Sequence, residues 1–150
     1  MEEEQSMLQI SLRVILGVIF IWAGTMKVLD LDSFVETVAY FKIAPFDVAP
    51  WDMWLGYMLP TFEIIVGAML IFGVLLKGAM ISVTALSVAF LVAVVSVHSR
   101  GLNIECGCFG KALSFKNYYL HISVLGIMVL MSLLLIAQEM RSSRDQNKLA

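Results

Sequence analysis

Residues 53–97 read MWLGYMLPTFEIIVGAMLIFGVLLKGAMISVTALSVAFLVAVVSV. Two apolar runs, about 53–76 and 79–97, are separated only by Lys77-Gly78. Each run is about 20 residues long, which is what an α-helix needs to cross roughly 30 Å of hydrocarbon. So short a link makes the two helices antiparallel neighbours. A soluble core of this size would need a polar shell, and the rest of the chain does not supply one. Of its 150 residues 60% are hydrophobic and 15% charged, against roughly 45–50% and about 25% in an ordinary soluble domain. Mean hydropathy is +0.89. This is the composition of a membrane protein. A net charge of −2 and a pI near 5.6 leave no basic patch, so nucleic acid is set aside as a partner.

Working outward from the hairpin gives two further spans, about 10–29 and 119–137. The expected fold is therefore all-α, an integral membrane four-helix bundle in a single domain. The first span has Gly17 and Gly24 on one face, suited to close helix contact. Glu2, Glu3 and Glu4 stand where a secretory signal would carry positive charge, and no small-residue cleavage site follows the apolar run, so this helix is expected to be retained. Between the first two spans, Ser33-Phe34-Val35-Glu36 reads as a capping box opening a short helix that ends before Pro45. Too short to cross, it is placed in the interface, with Phe34, Val38 and Phe41 facing lipid or the other helices. Trp51, Trp54 and Tyr57 form an aromatic belt at re-entry. A charged tail at 138–150 reads as disordered.

Glu63 is the only carboxylate well inside an apolar stretch. An ionisable residue at such a position is a functional candidate with an expected partner. Lys27 is that partner, since the first span ends and the second begins on the same side and a Lys stem can reach inward. The plainer reading is an ion pair that only holds two helices together.

The only two cysteines, Cys106 and Cys108, lie in the polar segment 98–118 between the third and fourth spans. Gly107 and Gly110 permit the turn that an i, i+2 disulfide needs. A ring so small removes only about 1.6 kcal/mol of unfolded-chain entropy, against about 3 for a 15-residue loop. It is a poor staple, and labile bridges serve exchange chemistry. Exchange needs an attacking thiolate, a resolving thiol and nearby positive charge. His98, Arg100 and Lys111 could supply the charge, and Glu105 works against it. Phe109 can anchor the loop in the interface.

Taken together, Arg13, Gly17, Ala23-Gly24 and Lys27 in the first span, Pro60, Glu63 and Gly67 in the second, and Cys106-Gly107-Cys108-Phe109-Gly110 after the third resemble the MauE branch of the DoxX-like four-helix membrane proteins. The resemblance covers about residues 10–135. It implies a membrane partner in extracytoplasmic thiol–disulfide chemistry, acting with a thioredoxin-like protein to mature a disulfide-containing periplasmic enzyme. Such proteins often have an arginine leading into the last span, where this chain has Tyr119-Leu120-His121. A protonated His121 is the available substitute.

Two rival readings stand beside this one. Cys106 and Cys108, with His98 or His121, could bind copper or zinc, although the spacing matches no common zinc pattern. Alternatively, the chain is a small accessory subunit of a larger membrane complex with idle cysteines. No cofactor is named by the sequence. Lys and Arg number five on each side of the membrane, so the charge rule is undecided. Arg141 and Arg144 beyond the last span, together with the redox argument, favour cytoplasmic termini and an exoplasmic cysteine loop, in a bacterial inner membrane.

Overall fold

A computed structural model describes residues 2–41, 50–100 and 118–149. These form five helices: α1 (Glu2–Leu29), α2 (Leu31–Phe41), α3 (Trp51–Phe72), α4 (Leu76–Ser99) and α5 (Tyr118–Leu149). Within them lie four apolar stretches long enough to cross a membrane, Met7–Leu29, Met53–Phe72, Leu76–Ser99 and Ile122–Arg141. The expected all-α four-helix membrane architecture is what the chain adopts. In each span only 22–33% of the sampled residues are buried inside the protein. The remaining surface, with Val18, Ile65, Val92 and Leu133 exposed on it, suits lipid rather than water. The core runs through Leu16, Phe20, Leu70, Val83, Val94 and Leu125.

The closest packing is between antiparallel α1 and α3, and glycine is its cause. A Cβ placed at Gly17 would stand 2.8 Å from the Gly67 carbonyl oxygen, and one placed at Gly67 would stand 2.8 Å from the Gly17 carbonyl oxygen. Only bare backbone on both helices lets them approach this far. In the bilayer, where burial from water drives little, such close van der Waals contact is the main source of helix association.

The structure corrects several boundaries. The turn between the central helices is Gly73-Val74-Leu75 rather than Lys77-Gly78, which lie inside the first turn of α4. Gly73 adopts a left-handed conformation with φ of 72°, and the Val74 N–H donates to the Met69 carbonyl at 3.1 Å, the wrapped C-terminal bond of a Schellman ending. The short helix opens at Leu31, leaving Asp30 alone as the link from α1, so Ser33 is an internal residue and not a cap. Its carbonyl accepts from Thr37 Oγ1 instead. α1 begins at Glu2, eight residues before the expected start of the first span. The tail at 138–150 is not a disordered appendage, since α5 continues to Leu149. Gln138, Glu139, Met140 and Arg141 are good helix formers, and Gln9 Nε2 donates to Glu139 Oε2 at 2.8 Å, fastening α5 to α1.

Candidate functional site

Lys27 lies two residues before the end of α1, and Glu63 lies three residues after Pro60 in α3. What brings them together is Gly24, one turn before Lys27. A Cβ there would stand 2.8 Å from the Pro60 carbonyl oxygen and 3.2 Å from Glu63 Cβ. With that contact open, Lys27 Nζ donates to both carboxylate oxygens of Glu63, at 2.6 and 2.7 Å. Each side chain is 1% exposed.

Two aromatic rings complete the surroundings of the ammonium. The centroid of Phe90, from α4, lies 4.4 Å from Lys27 Nζ, and that of Phe34, from α2, lies 5.4 Å away. Both distances are within the roughly 6 Å over which a ring face attracts a cation. Two charges taken out of water carry a desolvation penalty that only good geometry offsets. Here a two-pronged hydrogen bond and two ring faces meet the ammonium. Beside the pair is a small void lined by Phe20, Ala23, Phe90, Leu125 and Met128. About 10 Å³ of it is open to the centre of a water-sized sphere, room for about one water and for no larger ligand. All five helices therefore converge on this point.

Arg13 is in a different place from the pair, roughly 21 Å away along α1. Its Nε and Nη2 donate to the Leu70 carbonyl at 3.3 and 3.2 Å, and Nη2 packs against Gly73. The last carbonyls of a helix lack partners within it, and a cation there also meets the negative end of the dipole. Arg13 is thus the C-terminal cap of α3 supplied by α1.

The hydroxyls of the third span behave in part as expected of back-bonding residues, with Thr84 Oγ1 donating to the Met80 carbonyl. Ser87 does not: it is fully buried and its Oγ has no partner among the described residues. No three His, Cys, Asp or Glu side chains gather as metal ligands among the described residues. Cys106, Gly107, Cys108, Phe109 and Gly110 lie outside those residues, as does the metal reading that rests on them. The described helices do fix where their segment is attached. It leaves from Ser99 and returns at Tyr118, at the end of the bundle where α1 finishes and α3 starts. Phe90 is roughly 13 Å along α4 from that end.

Sequence reasoning missed both aromatic walls. Phe34 carried a partial signal, as a member of the apolar face of the short helix, while Phe90 is one more apolar residue in an uninterrupted span. The model of the family described as methylamine utilisation protein MauE matches residues 5–138. The chain belongs to the MauE family. The MauE match takes in the first three spans, most of the fourth, both members of the ion pair, Arg13 and the cysteine segment. No curated protein and no solved structure matches the chain.

Proposed function

We propose that this MauE-family protein is the membrane component of an extracytoplasmic thiol–disulfide system, with Cys106 and Cys108 as its exchanging pair and a thioredoxin-like protein as its partner. The observation that carries the reading is positional. The only two cysteines of the chain belong to the stretch of sequence between α4 and α5, and the helix ends that flank it, Ser99 and Tyr118, lie where α1 finishes just beyond Lys27 of the buried pair. In the reducing direction one thiolate attacks the partner's disulfide and displaces one sulfur as a thiolate. The second cysteine then displaces the partner's other sulfur. The partner leaves as a dithiol and the pair becomes a disulfide, two electrons having passed; the reverse steps oxidise the partner. Placement among the DoxX-like proteins, in a bacterial inner membrane with cytoplasmic termini, belongs to the same proposal. So does a supporting role for Gly107, Phe109 and Gly110 in presenting the pair.

The test is a pair of single serine variants. Cys108 adjoins Lys111 across two residues while Cys106 follows Glu105, so Cys108 is assigned the attack. Cys106→Ser is expected to accumulate a covalent adduct with the partner, and Cys108→Ser to give neither adduct nor activity. If both variants and their double retain full function, the pair is idle and the accessory-subunit reading replaces this one. Sidedness is tested separately. An impermeant thiol reagent applied to intact cells after mild reduction should label the cysteines, and labelling only after lysis would invert the topology.

A further inference from the structure

Lys27 stands two residues from the end of α1, where a membrane helix reaches the interface, and yet it is 1% exposed. A lysine so placed would ordinarily extend its ammonium into water. What covers it on this side is α2, through one side chain. Phe34 is the only buried residue among the described side chains of α2; Asp32 and Glu36 are exposed and the others half-buried. The helix is joined to α1 by Asp30 alone and rests on α3 where Val35 meets Gly56.

We propose that α2 is a hinged cover over the Lys27–Glu63 pair, turning at Asp30, and that its opening admits water from the loop side to the pair. Three features fit a cover better than a fixed strut. Among its described side chains only one ring is buried, its link to α1 is a single residue, and the group beneath it is a buried ion pair. With Phe34 lifted, the ammonium loses one of its two ring faces and gains an aqueous side. The carboxylate below it then becomes able to exchange protons with the exterior. The cover does not depend on the cysteines, and the experiment is built so that its outcome does not either.

The contact between α2 and α3 supplies a lock. A Cβ at Gly56 would stand 3.2 Å from Val35 Cβ and 2.7 Å from Val35 Cγ2, the atom a cysteine at 35 would lack. Val35→Cys with Gly56→Cys therefore brings two Cβ atoms close to the roughly 3.5–4.5 Å of a disulfide. The pair is made in a Cys106→Ser, Cys108→Ser background, so that it forms the only bridge. A water-soluble carbodiimide is the probe. It activates the Glu63 carboxyl as an O-acylisourea, the Lys27 amine displaces the urea, and an amide joins the two with the loss of one water. Mass spectrometry of the peptides reads that bond. Cross-linking is expected with the lock reduced and is expected to vanish with it oxidised, in the same molecule. Equal cross-linking in the two states, or none with the lock reduced, overturns the proposal. If the double cysteine variant does not fold, amide hydrogen exchange of the unmodified protein decides. Residues 31–41 should exchange together and faster than residues 55–70 of α3, and equal protection overturns the cover.

Discussion

Replacing Lys27 with methionine is expected to destabilise the protein by about 3–5 kcal/mol, because it strands the Glu63 carboxylate in an apolar interior. Replacing Glu63 with leucine should do comparable harm by leaving the ammonium against two rings and no anion. The double variant should recover most of the loss, since a pair replaced by apolar side chains of similar volume is often neutral or stabilising by about 1–4 kcal/mol. Thermal unfolding in detergent reads all three. Single variants within about 1 kcal/mol of the unmodified protein, the range of an exposed pair, would show that the two groups are hydrated in solution. The double variant also separates structure from function. If it is stable and active, the pair only joins helices; if it is stable and inactive, the charges themselves are needed.

The second large effect concerns the seam that makes the pair possible. Gly67→Ala should destabilise, because the added methyl group meets the Gly17 carbonyl at 2.8 Å and the Ile21 nitrogen at 3.1 Å. Both are backbone atoms, so no side chain can swing aside and α1 must separate from α3. Overpacking of this kind typically costs about 1–3 kcal/mol. Gly126→Ala, in the interior of α5, provides the opposite sign. Nothing lies within 4 Å of its added Cβ, and exchanging a helical glycine for alanine favours the helix by roughly 0.5–1 kcal/mol. A Gly67→Ala protein as stable as the unmodified one, or more stable, would refute the close approach of α1 and α3.

Hydropathy made the four spans legible, because a 20-residue apolar run has few alternative fates. The intramembrane carboxylate leads to Lys27, since a lone charge there demands a partner and the first span ends, with Lys27, on the side where the second begins. Hydropathy misplaces the hairpin turn for a definite reason. Val74, Leu75 and Leu76 continue the apolar pattern, so hydropathy placed the break at the polar Lys77, while the backbone broke at Gly73, the residue able to take a left-handed angle. Leu75 follows with φ of 47° despite its side chain. Arg13 as the cap of α3 and Phe90 over Lys27 were beyond sequence reasoning, since each joins residues whose proximity is set by helix register. The tail's charge argues for disorder, whereas its helix formers carry α5 on to Leu149 and the Gln9–Glu139 bond fastens the start of that stretch to α1.

The link between Lys27 and Glu63 also bears on how the chain enters its membrane. Synthesis delivers α1 first and α3 second. Of the four spans, that containing Glu63 has the lowest mean hydropathy, 1.8 against 1.9, 2.5 and 2.1. A charged side chain near the middle of an inserting helix costs about 2.5–3.5 kcal/mol. The segment least able to partition alone is therefore the one whose charge is neutralised by a helix already made, 36 residues upstream. Its commitment to the bilayer is tied to the presence of α1, whereas α4, with a hydropathy of 2.5, needs no such escort. A defect in Lys27 would accordingly appear in biogenesis as well, as a share of chains with α3 left outside the membrane, beside the lower stability of those that fold.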